Sequence, residues 1–500
     1  MRTAHSAGAN FLPTAIQEYT GTVMTGNWRI TGISAVAIIL ATAVPALAGA
    51  PRSAAQGAMQ GQPQGQPQGQ AEGGSQGGHA PSAPASPATT PGIVPTRPGA
   101  SPQVPVIAAP APILETVMAW DRADAQALLS VIEGIDADGL FAADYRPAVL
   151  RAALAAGEGP ALDEAASKSF AWLAEDLRDG RTPMTVRVQW FAVDPDQDVN
   201  PTPALMAKAL STHDVAGVLD GLAPTHPDYA VLKQALADTP TGQKARRAEI
   251  RANMDRWRWL QRDLGSLYLL TNVPEFQLRL TKNNEIIKTY KTVVGKPGRT
   301  ATPQLAETVQ AVVFNPTWTV PQSIVVGEGL GAQLLRSPRA GFKATRLANG
   351  TINVVQQPGP QNALGVMKID MPNPHAIYLH DTPSKQYFNS SVRAFSHGCV
   401  RTERALELGM TLAIFGAGLD TNAVVANATS GKYTRVPMTR TLPIYITYFT
   451  MGTSISGSLA SFADIYGRDA PVLASFAEPR QIKTTQRKSN EAIIKLDNPL

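Results

Sequence analysis

Cys399 is the single cysteine in a chain of 500 residues. It stands in Ser396-His397-Gly398-Cys399-Val400-Arg401, and His380 lies upstream in Tyr378-Leu379-His380-Asp381-Thr382-Pro383. A lone cysteine served by histidines is a candidate nucleophile, not half of a disulfide. A free thiol titrates at about pH 8.5, so only a few per cent is thiolate at neutral pH. Lowering that pKa by about two units needs roughly 2.7 kcal/mol of differential stabilisation. A histidine supplies this as an ion pair, and a nearby helix N-terminus adds to it.

Those side chains need elements to hold them. A strand over 376–380 would put Ala376, Tyr378 and His380 on one face and Ile377 and Leu379 on the other. Residues 403–415 have helical composition, with Thr402 as N-cap, which would set the thiol just before a positive helix end. Gly398 permits close approach, and its N–H together with that of Cys399 could form an oxyanion hole. Two blander readings stand beside this one. A lone cysteine is often inert packing, and His380, His397 and Cys399 could be zinc ligands, although no fourth ligand at sensible spacing is visible.

The rest of the chain limits what the thiol can serve. Net charge is +5 with a pI of about 9.2, too mild and dispersed to indicate nucleic acid. Arg29 precedes an apolar run over 33–47 that ends in Ala46-Leu47-Ala48. This reads as a secretory signal over 1–48, cleaved or kept as an anchor, with Met24 as a candidate true start. Residues 49–112 are rich in Gln, Gly, Pro and Ala and read as a disordered tether. Export suits a single thiol, because a second cysteine would risk trapping the nucleophile as a disulfide.

Alanine and leucine recur at helical spacing over 121–132, 147–156, 162–177 and 203–210. A basic, Trp-containing helix is expected over 244–264, with its arginines snorkelling. Asp136-Ala137-Asp138-Gly139 hints at a calcium loop but lacks the remaining ligands. After Leu264 the period changes to that of strands: a hairpin turning at 282–285, then short strands over 308–315, 351–356, 365–369, 376–380 and 443–450. The fold class is therefore α+β and multidomain, a helical scaffold over 113–264 and then a mostly β, sandwich-like domain over 265–475. A glycine-rich, lid-like segment spans about 320–350. The polar tail, 476–500, is expected to be disordered.

The pair of His380 and Ser396-His397-Gly398-Cys399-Val400-Arg401 resembles the signature of the L,D-transpeptidase catalytic domain. Further runs resemble the large, scaffold-bearing branch of that family: Asn253 to Trp259, Asn315-Pro316-Thr317-Trp318, Asn362-Ala363-Leu364-Gly365, Tyr378 to Pro383, Pro443-Ile444-Tyr445 and Asp464 to Asp469. The resemblance implies an acyltransferase of the periplasm, in a Gram-negative-type envelope, that needs no cofactor and is acylated by carbapenems. Its partners would be peptidoglycan stem peptides, with other wall-synthesis proteins possible and the membrane reached only through a retained N-terminal segment. Cys399 would attack the carbonyl before the terminal D-alanine of a tetrapeptide stem, and a diaminopimelate amine would resolve the thioester into a 3→3 cross-link. His380 maps onto the general base and His397 onto a positioning or polarising histidine. Tyr378 maps onto the oxyanion region with Gly398 and Cys399, and Arg401 would face a substrate carboxylate. Two alternatives keep the thiol and change the acceptor, to water (an L,D-carboxypeptidase) or to a lipoprotein lysine. A third is a wall-binding scaffold without catalysis. The chain departs from its branch in two respects: the link over 236–244 leaves no room for a separate peptidoglycan-binding domain, and the lid-like segment over 320–350 does not align readily with that branch.

Overall fold

A computed structural model describes residues 116–192, 199–481 and 494–499. The expected signal and tether lie outside the described residues. The described residues fall in one compact unit that runs from Pro102 onward.

The first part is helical: α1 (Arg122–Gly134), α2 (Pro147–Ala156), α3 (Pro160–Asp179), α4 (Thr202–Thr212), α5 (Val215–Asp220), α6 (Pro227–Asp238) and α7 (Lys244–Trp257). Local chemistry sets the starts. Asp121 caps α1 by accepting the Asp124 N–H at 2.7 Å, and proline occupies the first turn of α2, α3, α4 and α6, where its missing N–H costs nothing. Ala125, Leu128, Leu129 and Ile132 form the buried stripe of α1 against α3. The four helices expected here all appear with ends within two residues; α5 and α6 were not anticipated.

Helix α7 stops at Trp257, short of the expected 264. Its arginines do not snorkel. Arg256 and Arg258 are 1% exposed, and Trp257 and Trp259 are buried with them in a core shared with the following sheet. Ion pairing replaces snorkelling, because Arg256 meets Asp469 at 2.7 Å.

The second part is one curled sheet of eleven strands: β1 (Leu267–Asn272), β2 (Gln277–Lys282), β3 (Glu285–Gly295), β4 (Leu305–Thr308), β5 (Ala311–Phe314), β9 (Met367–Asp370), β10 (Leu379–His380), β11 (Ala394–Ser396), β12 (Val400–Thr402), β13 (Thr434–Pro437) and β14 (Pro443–Thr447). The numbers β6 to β8 belong to a side unit described below. The sheet runs β13-β5-β9-β10-β12-β3-β2-β1-β14-β4, with β11 added alongside β3. Strands β4 and β5, near opposite ends of that path, are joined only by Val309 and Gln310, so the sheet must curl back on itself. The two joining residues bond to opposite ends, Val309 N–H to Leu442 O at 3.0 Å and Gln310 N–H to Asp370 O at 2.7 Å. Inside the curl, Leu269, Leu280, Val312, Ile369, Leu379 and Val400 pack against α10 (Ala405–Ala417) and α11 (Thr421–Thr429). The hairpin turn at Asn283 and Asn284 has both residues left-handed, φ 50° and 64°, the geometry that matches strand twist.

The lid-like segment is not a bare loop. Strands β6 (Trp318–Thr319), β7 (Phe342–Arg346) and β8 (Ile352–Gln356) form their own small sheet with α8 (Gln322–Gly327) and α9 (Leu330–Arg336). Val320, Val325, Leu334 and Val354 give it a separate core. The tail also departs from expectation where it is described. After α12 (Asp469–Ala477), Arg480 meets Glu175 at 2.7 Å and Asp176 at 2.9 Å, and Thr441 N–H donates to Asn498 O at 2.7 Å.

Candidate active site

Strand β10 lies between antiparallel β9, with His380 opposite Lys368, and parallel β12, with His380 opposite Arg401. Leu379, Ile369 and Val400 face the core. Alternation then gathers Tyr378, His380, Lys368, Cys399 and Arg401 on the other face. The strand is shorter than expected, because Ala376 is left-handed at φ 54°. Ala376 contributes its carbonyl instead, to which the Cys399 thiol donates at 3.6 Å.

The turn bearing the thiol is clamped by hydroxyls. Ser396 Oγ donates to Cys399 O at 2.6 Å and accepts the Gly398 N–H at 3.1 Å. Thr302 Oγ1 donates to Gly398 O at 2.7 Å and accepts the Gly295 N–H at 2.8 Å. Gly398 sits at φ 123°, a conformation side chains avoid. Its N–H is thus engaged within the turn, whereas that of Cys399 has no hydrogen-bond partner among the described residues. His397 is exposed and makes no hydrogen bond among the described residues.

The expected helix end is not at the sulfur. Thr402 closes β12, and α10 begins at Ala405 behind a left-handed Arg404 at φ 48°. Five residues, three of them in β12, separate Cys399 from the first residue of that helix. Pairing of Arg401 and Thr402 with β3 overrode the local capping signal.

His380 is 5% exposed. Its Nδ1–H donates to the Asp381 carbonyl, and since a carbonyl only accepts, Nε2 is left as the acceptor of the neutral ring. Burial first, then the Arg401 charge, pushes its pKa down to about 3, with Lys368 and Lys385 adding to the fall. The Asp381 side chain faces away, accepting the Val366 N–H at 3.1 Å and pairing with Lys385. Burial pushes the Cys399 thiol up, opposed by the backbone and the phenol of Tyr378 and by Lys368 and Arg401. The resting pair is therefore neutral thiol and neutral imidazole, not the expected thiolate and imidazolium.

Tyr378 sits at the centre. Burial first, and then the neighbouring Cys399, raise its pKa, opposed by the Trp318 side chain. The ring lies 5.6 Å from that of His380, with Lys368 Nζ 4.5 Å over its face. Arg401 is half-buried and makes no ion pair or hydrogen bond among the described residues; its Nε is a buried donor without a partner. Sequence reading missed Trp318 and Lys368 as site residues. Trp318 was visible only as part of a matching run. Lys368 left no signal, because it reaches the site through strand register.

The metal readings find no support in placement. Asp136 pairs with Arg247 at 2.6 Å and with Arg251, and Asp138 pairs with Lys233 at 2.8 Å. Among the described residues, the tight His/Asp grouping is Asp121, Asp124 and His213, in the scaffold, where His213 Nδ1 lies 2.9 Å from Asp124.

Residues 266–412 match the L,D-transpeptidase catalytic domain family, and residues 117–236 match the scaffold domain family. The chain thus carries one region that matches each of these two families. A Haemophilus influenzae protein named "Putative L,D-transpeptidase" is 29% identical over 225 residues, 41% of this chain and 45% of the relative, so the match spans less than half of that protein. Among solved structures, an L,D-transpeptidase from Mycobacterium smegmatis is 14% identical over 38% of this chain and 60% of its own, with a TM-score of 0.20. The catalytic domain of an Enterococcus faecium L,D-transpeptidase acylated by ertapenem is 13% identical over 37% of this chain and 98% of its own, at 0.21.

Proposed function

We propose that this protein is a peptidoglycan L,D-transpeptidase in which Cys399 takes an acyl group from a tetrapeptide stem and passes it to a diaminopimelate amine, forming a 3→3 cross-link. The observation that carries this is the convergence of the only thiol, a buried imidazole with a vacant Nε2 and the Tyr378 phenol on one face of adjacent strands, inside the family-matched domain.

Both groups start neutral, so the thiol proton passes to His380 Nε2 as sulfur attacks. D-alanine leaves with that proton, and the incoming amine repeats the exchange in reverse. The Cys399 N–H and the Tyr378 phenol are the donors suited to the developing oxyanion. His397 borders the turn and positions substrate from its exposed side. Arg401, a cation without a protein partner, suits a substrate carboxylate. Trp318 lies near enough to act on the phenol, which brings the small β6–β8 unit to the thiol. This chemistry belongs outside the cytoplasmic membrane, in keeping with the signal-like N-terminus.

Incubation with disaccharide-tetrapeptide followed by mass analysis tests the reading. A dimer lacking one D-alanine is expected, together with a carbapenem adduct on Cys399, and neither should form with Cys399→Ala. Tripeptide alone would indicate water as the acceptor. A dimer formed by Cys399→Ala would remove the thiol from the reaction.

A further inference from the structure

Helix α7 starts among positive charges. Its first residues include Lys244, Arg246 and Arg247, no acidic residue lies in the first turn, and Gln243 caps it without a side-chain hydrogen bond. A helix N-terminus already carries partial positive charge, so cations there are unfavourable unless an anion joins them.

That end opens on a cavity of about 310 Å³, separate from the thiol site. Its lining combines apolar Phe141, Leu473 and Phe476 with basic Lys244, Arg247 and Arg251, and the Arg251 guanidinium lies 4.4 Å over the Phe141 ring. Asp136 is the carboxylate set against them, pairing with Arg247 and Arg251. Arg247 also donates to Leu236 O and Thr239 O at 2.7 Å each. Lys244 makes no ion pair among the described residues, and Arg251, 8% exposed, keeps an Nε without a partner. Burial holds the Arg251 pKa down, with Arg247 beside it opposing the help from Asp136. The cavity is therefore short of negative charge and lined for a small alkyl group.

We propose that this cavity binds the terminal D-alanyl carboxylate of a peptidoglycan stem, carboxylate to Lys244 and the start of α7 and methyl to Phe141 and Phe476, as a wall-holding site distinct from the thiol. The proposal rests on the transpeptidase reading for its choice of ligand. Two further observations favour it. Helices α6 and α7 are joined by the short link 239–243, so no separate wall-binding module sits between them. The chain's own tail over 482–493 is net basic, Lys483, Arg487 and Lys488 against Glu491, the wrong sign to fill this cavity.

The test is retention of the full chain on purified sacculi, for the unaltered protein, Lys244→Glu and Ala248→Phe. Lys244 is exposed, and Ala248 lines the cavity outside the ion pairs, so both variants should fold. Each should lose about tenfold in retention while turnover of soluble disaccharide-tetrapeptide stays unchanged. Sacculi trimmed to tripeptide stems should retain the unaltered protein as weakly as the variants. Equal retention by all three proteins would overturn the site. So would retention indifferent to trimming but lost to competing vesicles of anionic phospholipid, which would make the cavity a membrane contact. Absence of soluble turnover in the unaltered protein would instead defeat the transpeptidase reading and leave the retention result to be judged alone.

Discussion

Arg256 and Arg401 are both guanidiniums withdrawn from bulk water, and the protein treats them in opposite ways. Arg256, in the junction between helices and sheet, meets Asp469 at 2.7 Å, Thr450 Oγ1 at 3.0 Å, the Arg468 carbonyl at 3.1 Å and Asn253 Oδ1 at 3.2 Å. Arg401 has only the Tyr387 ring, 5.8 Å away. Two histidines, buried His380 and half-buried His226, divide in the same way. His226 uses both nitrogens, accepting the Asp228 N–H at 3.1 Å and meeting Tyr268 OH at 3.0 Å, and stacks on Trp257 at 4.2 Å. His380 uses one. Buried polar groups are normally satisfied; Arg256 and His226 follow that rule in the architecture, whereas Arg401 and His380 keep a vacancy beside the thiol.

That contrast is open to attack, most forcefully at the histidines. His380→Gln should lower turnover by about 10²- to 10⁴-fold, the usual share of a general base, and leave the melting temperature nearly intact. His226→Gln should do the reverse, losing stability while the folded fraction keeps its turnover. Equal loss of turnover in both would break the comparison. At the arginines, Arg401→Met should cost about 1.5–3 kcal/mol in kcat/KM, or roughly 10- to 100-fold, without lowering stability. Arg256→Met should cost about 3–5 kcal/mol of stability, measured by urea unfolding.

The pH dependence follows from the same two histidines. Their pKa values are about 3 for His380 and about 4 for His226 in the fold, against about 6.5 when unfolded. Below about pH 6.5 the unfolded chain takes up protons that the native state refuses until its own lower pKa values are reached. The stability present at neutral pH should therefore fall by about 1.4 kcal/mol per pH unit for each histidine down to those values. Urea midpoints between pH 7 and 4.5 measure this, and either substitution should flatten the slope. The smallest effect is expected from Lys368→Met. Removing this cation should move the pH profile of Cys399 alkylation upward by about one unit; an unmoved profile would take Lys368 out of the site.

Much of this was legible in the chain. The placement of Tyr378 and His380 on one face near Cys399 follows from residue types and strand alternation, and the helices rich in alanine and leucine read correctly almost to the residue. What failed did so where tertiary pairing outweighed local preference. Thr402 looks like a cap but is the end of a strand held by β3. The arginines of α7 look like snorkelling side chains but find buried partners from distant segments. Residues 320–350 looked like loose loop because the elements there are only five to seven residues long, too short for a periodic signal, whereas β8 was legible as a strand. Lys368 reaches the site only through its register with His380, and the depressed histidine pKa comes from burial, which sequence spacing does not report.

Strand β14 is the last of the eleven-stranded sheet to leave the ribosome, yet it lies between β1 and β4, pairing Leu269 with Ile444 and Leu305 with Ile446. A piece cut at the family-matched limits, 266–412, would hold every residue of the thiol site and still leave β1 and β4 as raw edges. Bare edges recruit other chains, so such a piece should clump instead of working. The catalytic unit, as a thing that folds, reaches past the segment by which its kinship is recognised.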